Sequence, residues 1–171
     1  RKTEYNLHST IVTARRDNIE VSAEGFVPLN GMKEYFIYRI KNLSDKAKKI
    51  SFIVAYSLEG GPMSSECKAA ENNRLVIANT VPYHIYYDDY EKIAKQYNSC
   101  YSATSLTPER VICNENVLFG GKRRYIENAF NAEERTASYN GEHIAAFRYE
   151  FNLKSGEEVE FSTVIGLCVT T

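Results

Sequence analysis

The sequence predicts an all-β fold, an antiparallel sandwich, on three observations. Apolar residues alternate with polar residues over most of the chain, which is the pattern of a strand with one buried face. Turn-forming residues separate these runs at short intervals, and this spacing is typical of a sandwich or barrel rather than of parallel α/β layers. The chain also contains 13 Tyr and 8 Phe but no Trp, and aromatic residues favour strands.

Strands follow one another through the first half of the chain. Residues 5–13 predict a strand, Arg16 to Asn18 predict a turn, and residues 19–27 predict the returning strand. Two further alternating runs follow, and polar or Gly-Pro segments end each of them. Their alternating residues are Phe36, Tyr38 and Ile40 before the break at Asn42-Leu43-Ser44-Asp45, then Ile50, Phe52, Val54 and Tyr56 before Gly60-Gly61-Pro62.

The clearest strand pattern lies near the end of the chain. Two alternating runs, 145–153 and 159–165, flank a short turn that contains Gly156. Such a pair predicts an antiparallel hairpin. The residues expected on one face are Ala145, Phe147, Tyr149, Phe151 and Leu153 in the first run, and Val159, Phe161, Thr163 and Ile165 in the second.

The middle of the chain is less regular. Residues 74–80 and 97–104 predict strands, whereas residues 88–95 and 128–135 favour one or two short helices in loops. No internal repeat or linker interrupts the sequence, so we expect residues 1–171 to form one domain.

Composition excludes several classes of function. With 21 basic and 22 acidic residues the net charge is −1, which gives no electrostatic reason to expect nucleic acid or an anionic membrane surface as a partner. No apolar run is long enough to span a bilayer, and no signal peptide opens the chain. The start lacks Met, so we expect a trimmed or processed piece of a larger protein.

Four cysteines, Cys67, Cys100, Cys113 and Cys168, lie far apart without a CxxC pair. Zinc sites normally have closely spaced ligands, so no metal site is expected. In an oxidising compartment the four cysteines would allow three disulfide pairings. We expect instead buried or half-buried free thiols in a cytoplasmic protein.

The sequence offers no catalytic centre and no cofactor motif. His8 falls in a predicted strand, and His143 beside Gly141-Glu142 is expected to be a solvated turn residue. No G-x-S-x-G elbow or P-loop is present. Neighbouring carboxylates on a strand point to opposite faces, so pairs such as Glu157-Glu158 cannot flank a glycosidic bond.

Two segments are candidates for binding carbohydrate. Tyr83, Tyr86 and Tyr87 lie in an aromatic cluster whose rings are suited to stacking on a sugar. Arg123 and Arg124 lie in a basic run whose guanidinium groups suit hydroxyl, phosphate or carboxylate oxygens. The alternatives are that the tyrosines pack in the core and at its rim, and that the basic run is solvated or contacts a neighbouring domain.

Several short segments, spread over nearly the whole chain, occur in the same order as in a known protein family. They are Ile19-Glu20-Val21, Phe26-Val27-Pro28-Leu29, Asn42-Leu43-Ser44-Asp45, Lys49-Ile50-Ser51, Tyr101-Ser102-Ala103-Thr104, Leu118-Phe119-Gly120-Gly121-Lys122-Arg123-Arg124 with Glu127-Asn128-Ala129, and Leu153-Lys154-Ser155-Gly156-Glu157-Glu158 with Phe161 and Ile165-Gly166-Leu167. The set resembles the N-terminal β-sandwich of glycoside phosphorylases, in the cellobiose phosphorylase and cyclic β-1,2-glucan synthase group once called glycosyltransferase family 36. Ser155 and Ala129 stand where that family usually has Pro.

The resemblance implies a super-sandwich of the galactose mutarotase-like class. In that family an α/α-barrel catalytic domain follows the sandwich and holds the general acid and the phosphate site. The implied role is therefore a non-catalytic accessory domain that packs against the barrel, shapes the active-site mouth and supports a homodimer. A carbohydrate-binding domain that recognises oligosaccharide by itself is the alternative, and a small mutarotase-like enzyme is a third hypothesis.

Overall fold

A computed structural model describes residues 1–29, 31–58, 64–80, 99–120, 126–139 and 142–168. The helical turn predicted at 88–95 lies outside these residues. Within them the chain forms twelve strands and two short helices, and all the pairings between the strands are antiparallel. The predicted all-β sandwich is therefore confirmed.

The larger sheet contains nine of the described strands. Across the sheet their order is β1, β2, β3, β4, β12, β8, β7, β6 and β10. Their bounds are β1 Lys2–Tyr5, β2 Thr10–Arg16, β3 Ile19–Phe26, β4 Lys33–Asn42, β6 Ser64–Ala70, β7 Leu75–Thr80, β8 Ser99–Thr104, β10 Ala137–Tyr139 and β12 Glu158–Cys168.

The smaller sheet has three described strands and carries the helices. Its order is β5 (Lys48–Ser57), β11 (His143–Leu153) and β9 (Arg110–Asn114). Helix α1 (Glu115–Phe119) follows β9 directly, and α2 (Ile126–Ala129) comes next among the described elements. The side chain of Asn114 caps α1 by accepting from the Val117 N–H at 3.0 Å, and Gly120 ends it at φ 65°, as N-caps and left-handed C-caps do.

The main core fills the space between the two sheets. Buried residues from β11 meet buried residues from β4, β6, β7, β8 and β12 across that space. The face predicted for β11 is confirmed, because Ala145, Phe147, Tyr149 and Leu153 all belong to this core and Phe151 packs against it. The core members are Ile40, Val54, Leu58, Cys67, Val76, Ala78, Cys100, Val111, Cys113, Ala145, Phe147, Tyr149, Leu153 and Phe161.

A second cluster covers the opposite face of the small sheet. Ile112, Ile144 and Ala146 pack there with Leu118 of α1 and Ala129 of α2. This burial explains why residues 143–147 are all buried, since both faces of β11 are covered along that stretch.

The first predicted hairpin is confirmed, with a difference at its start. β2 pairs with β3 around Asp17 and Asn18, whose φ values of 51° and 58° suit a two-residue turn. The strand predicted over 5–13 is instead two strands, because the chain reverses between Tyr5 and Thr10. His8 lies in that reversal and is exposed, so its placement inside a strand was wrong.

The hairpin predicted near the end of the chain is wrong. β11 belongs to the small sheet and β12 lies between β4 and β8 in the large sheet. The turn around Gly156 is therefore an arch that carries the chain from one sheet to the other. β4 and β5 are joined by a second arch of the same kind, because β4 pairs with β12 while β5 pairs with β11.

The two arches meet at Asn42, which is fully buried. Its amide donates to the carbonyl oxygens of Lys46 at 2.7 Å and of Leu153 and Lys154 at 3.0 Å. Its main chain also exchanges hydrogen bonds with Gly156 and Glu157. The side chain of one residue thus links both crossings at this end of the molecule, here called the arch end.

Candidate functional site

The five residues predicted to bind sugar, Tyr83, Tyr86, Tyr87, Arg123 and Arg124, lie outside the described residues. Their role therefore stays a prediction. The described residues hold no group of three or more His, Cys, Asp or Glu placed to bind a metal ion. No helix among them has the length and apolarity that a bilayer-spanning segment requires.

The open end of the sandwich, opposite the arches, carries the candidate site. Here β3 ends and β4 begins in the large sheet, while β12 ends beside the start of β8. In the small sheet β5 ends beside the start of β11. Hydrogen-bonded arches join the two sheets at the other end.

A cleft of about 390 Å³ opens between the sheets at this end. Apolar groups form most of its wall, and three polar side chains, Lys33, Glu34 and Ser57, stand among them. This volume is near the lower limit of known ligand pockets, which span roughly 300–1,000 Å³. The apolar lining residues are Val27, Met32, Leu58, Cys100, Ile165 and Leu167.

Exposed apolar side chains concentrate at the same end. The described residues include nine large apolar side chains that are exposed, and four of them line the cleft or lie in the loop between β3 and β4. Scattered exposed apolar residues are normal on a soluble protein, whereas a clustered set marks an interaction surface. The four are Val27, Leu29, Met32 and Leu167.

The wall of the cleft is held in a fixed geometry. The Leu167 N–H donates to the Met32 carbonyl at 2.9 Å, which ties the loop between β3 and β4 to the end of β12. Phe26 stacks on Tyr35 at 5.5 Å between ring centroids, and the Lys33 ammonium lies 5.4 Å from the Tyr35 ring. Its hydrogen bond to Tyr35 is the main cause that raises the pKa of Lys33, so this group is a cation at neutral pH.

The buried interior beside the cleft holds a row of phenols. Tyr56 Oη lies 2.9 Å from Tyr38 Oη and also hydrogen-bonds Thr163, and Tyr149 donates to Thr104 at 2.7 Å. Burial raises the pKa of Tyr38, Tyr56 and Tyr149 above the usual value. The three hydroxyls are therefore neutral and hydrogen-bonded, as expected of side chains that pack in a core.

The histidine and cysteine expectations have mixed outcomes. His143 is 1% exposed at the start of β11, so the prediction of a solvated turn residue was wrong.

All four cysteines are free, as predicted. The pKa of Cys67 is raised by its hydrogen bond to Cys113 and by burial, so this thiol is protonated rather than poised as a nucleophile.

A charged cluster lies on the other face of the small sheet. The Glu150 carboxylate accepts from Ser51 at 2.5 Å and from Arg148 at 2.8 Å, and Lys49 pairs with it at 3.0 Å. These hydrogen bonds lower the pKa of Glu150 to about 2. Every charge is paired, which suits a surface that stabilises strand pairing rather than one that reacts.

Sequence reasoning missed the residues that form the open cleft. A usable signal was present, because Val27, Leu29 and Met32 are apolar residues within a segment of Pro, Asn and Gly. Turn segments are normally polar, so three large apolar residues in one loop indicate a contact surface.

Comparison with known proteins gives concordant results. Residues 2–171 match the family model described as glycosyl hydrolase 94, supersandwich domain. A 3-O-β-D-glucopyranosyl-β-D-glucuronide phosphorylase from Paenibacillus borealis is 25% identical over 166 residues, which are 95% of this chain and 22% of that protein. A solved structure described as a kojibiose phosphorylase from the human microbiome superposes with a TM-score of 0.51 at 9% identity, over 93% of this chain and 17% of that one. The chain thus spans about a fifth of the length of the curated relative.

Proposed function

This chain belongs to the supersandwich domain family of glycosyl hydrolase 94, and from that membership we propose that it is a non-catalytic accessory domain of a glycoside phosphorylase or glucan synthase. Its role is to shape the mouth of the active site and to support either packing of an α/α-barrel catalytic domain or dimerisation. The reacting groups belong to that separate domain.

The distribution of exposed apolar residues carries this proposal. Four of the nine exposed large apolar side chains among the described residues, Val27, Leu29, Met32 and Leu167, line the cleft or lie in the loop beside it. A domain that works within a larger chain exposes apolar surface where it contacts its neighbour. A domain that works alone gains nothing from such a surface and risks aggregation.

An assay of phosphorolysis tests the proposal. The full-length protein and residues 1–171 are each incubated with β-linked gluco-oligosaccharides and inorganic phosphate, and release of sugar 1-phosphate is measured. We expect release by the full-length protein and none by residues 1–171, whose folded state is checked by circular dichroism. Release by residues 1–171 alone would contradict the accessory role.

Carbohydrate binding by the domain itself is the second candidate. The ends of β7 and β8 that flank the tyrosine-rich segment, Thr80 and Ser99, both lie at the open end. The sugar site proposed on this segment consists of Tyr83, Tyr86 and Tyr87, whose rings are suited to stacking on a sugar. Calorimetric titration with oligosaccharides checks it: we expect saturable heat that weakens in Tyr86→Ala, and flat titrations across a glycan panel would reject this candidate.

The free thiols support a cytoplasmic location for the protein. Disulfides form and persist in oxidising compartments, and the two cysteine-bearing strands at the open end, β8 and β12, lie side by side without a disulfide. We therefore keep the cytoplasmic location expected from the sequence as part of the proposal.

A further inference from the structure

We propose that Cys67 and Cys113 form a disulfide site: oxidised glutathione joins the two thiols, and the bond links the large sheet to the small sheet at one corner of the sandwich. This inference goes beyond the proposed function, because it concerns how the domain responds to oxidation and not what the parent enzyme acts on. It depends neither on the cleft nor on catalysis by another domain.

The two thiols meet across the core. Cys67 lies on β6 of the large sheet and Cys113 on β9 of the small sheet, and both residues are 0% exposed members of the main core. The Cys67 thiol hydrogen-bonds the Cys113 sulfur. The Cys67 sulfur also lies 4.0 Å from the carbonyl oxygen of Ile144 on β11, the strand beside β9. A disulfide requires two side chains that point at each other, and this pair meets that condition.

One chain segment holds the backbones of both cysteines. This corner segment consists of β10 and the two residues before it. At its start the Cys113 N–H donates to the Arg135 carbonyl at 2.7 Å, and further along Ser138 is the register partner of Cys67. The Asn114 side chain donates to Ser138 Oγ at 2.9 Å. The residue after Cys113 is thus bound to the residue opposite Cys67, which keeps β6 and β9 close at this corner.

The other two cysteines are not placed to form a disulfide. Cys100 is the register partner of Leu167, whereas Cys168 is the partner of Ser99. Successive residues of a strand point to opposite faces, so Cys100 and Cys168 lie on opposite faces of the large sheet. Cys67 and Cys100 share a face, but β7 lies between their strands. Two strand spacings separate their Cα atoms by about 9–10 Å, which exceeds the reach of a disulfide.

Oxidised glutathione supplies the oxidant. The thiolate of one cysteine attacks a sulfur of glutathione disulfide, breaks its S–S bond and releases one glutathione. The second cysteine attacks the mixed disulfide, forms the protein S–S bond and releases the second glutathione. The protons of the two cysteine thiols pass to the two glutathione thiolates. Two cysteine thiols are therefore oxidised, and one glutathione disulfide is reduced.

Burial controls when the bond forms. Both cysteines are inaccessible in the closed fold, so exchange with glutathione requires local opening. The corner segment is the place where this opening needs least, because β10 has three residues and lies at the edge of the described large sheet. Short edge pairings open at a lower free energy than core strands. In a reducing cytoplasm the pair stays as thiols, and oxidation of the glutathione pool converts it to the disulfide.

Disulfide mapping in the full-length protein tests this inference. The protein is equilibrated in glutathione buffers that range from reduced to oxidised, in one series as the native protein and in a second during refolding from urea. The second series removes the barrier set by burial. Free thiols are then alkylated, and mass spectrometry of proteolytic peptides identifies the disulfides. We expect a bond between Cys67 and Cys113 in the oxidised buffers of the refolding series, and no protein disulfide at Cys100 or Cys168.

Two results would overturn the inference. The first is absence of the Cys67–Cys113 bond from both series. The second is a predominant disulfide that involves Cys100 or Cys168, or that joins two copies of the chain, since either would show that the fold does not select this pair.

Amide hydrogen exchange measures the effect of the bond on the corner. In wild type, oxidation is expected to slow exchange in peptides that cover β6, β9 and β10 by about tenfold, because the bond restricts local opening. Cys113→Ala should abolish this slowing. Cys100→Ala is the matched control, since it also replaces a buried core cysteine, and it should keep the slowing.

Each variant is compared with its own reduced form, so that any loss of stability caused by the substitution cancels. Slowing that persists in Cys113→Ala would contradict the link between the two sheets. Unchanged exchange in wild type that carries the bond would contradict it as well.

Discussion

At Gly166 of β12, an added Cβ atom would lie 2.8 Å from the Met32 carbonyl oxygen and 2.9 Å from both Lys33 Cβ and Tyr101 Cε1. Real Cβ atoms do not approach a backbone oxygen this closely, and a backbone oxygen cannot move aside as a flexible side chain can. The missing side chain therefore allows the loop between β3 and β4 to sit against the end of β12. The wall of the open cleft depends on this one position.

Gly166→Ala is expected to lower the free energy of unfolding by about 1–3 kcal/mol, as overpacking of a buried position does. Urea denaturation of residues 1–171 measures the change. Gly156→Ala is the comparison, because its Cβ would meet no atom within 4 Å while its φ is 74°. That variant should lose only about 1–2 kcal/mol from backbone strain, and equal stability of Gly166→Ala and wild type would contradict the packing argument.

At the scale of elements, the arches decide how the strands are distributed. Each arch carries the chain from one sheet to the other, so two consecutive strands face each other across the core instead of pairing. Asn42 satisfies carbonyl groups on both arches and accepts from the Ser44 N–H at 3.0 Å. Without it, buried acceptors at both crossings would lack donors, which is costly in a low-dielectric interior.

Asn42→Ala is therefore expected to destabilise the protein by at least about 2 kcal/mol, since a buried group left without a partner costs roughly 1–3 kcal/mol. The matched control is Asn152→Ala, which removes an exposed asparagine from β11 and should change stability by less than about 0.5 kcal/mol. Urea denaturation compares the two variants. Similar losses in both would mean that Asn42 does not hold the arches together.

At the scale of the whole molecule, the two ends of the sandwich have different properties. The arch end is closed by hydrogen bonds between buried groups, while the open end exposes apolar side chains around a cleft. The interior between them contains Tyr38, Tyr56 and Tyr149, whose pKa values are raised above the usual value by burial. This combination makes the stability of the whole sandwich sensitive to alkaline pH.

The pH dependence follows from the direction of these shifts. Below about pH 10 the three phenols are protonated in both the folded and the unfolded state, so they do not make the free energy of unfolding depend on pH. Above it they ionise only in the unfolded state, and stability falls as pH rises. Tyr149→Phe removes one such group and should reduce the slope by up to about 1.4 kcal/mol per pH unit.

Urea denaturation at a series of pH values from neutral to strongly alkaline checks this expectation. Tyr139→Phe serves as the control because Tyr139 is 58% exposed, and its slope should match that of wild type. Tyrosinate absorbance followed in parallel reports ionisation. Ionisation of all tyrosines near pH 10 in the folded protein would contradict this expectation, because the three buried phenols would then not be the cause of the loss of stability at alkaline pH.

The sequence predicted most strands, but it missed β6, β9, β10 and α1, and it did not separate β1 from β2. β9 is buried by Ile112 on one side and by Val111 and Cys113 on the other, so it lacks the alternation that marks a half-exposed strand. β10 is only three residues long, which is too short to show an alternation of polar and apolar residues. α1 depends on the Asn114 cap and on packing of Leu118 rather than on an extended helical pattern.

By itself the sequence determined the fold class, the family resemblance and the side of each strand that faces inward, because alternation is a local property that any extended segment expresses. Only the tertiary structure decided which sheet each strand joins. β11 and β12 are neighbours in sequence, yet they pair with β5 and β9 in one sheet and with β4 and β8 in the other. That choice depends on long-range pairing and on Asn42, and the same pairing brings the residues that line the cleft together at one end of the sandwich.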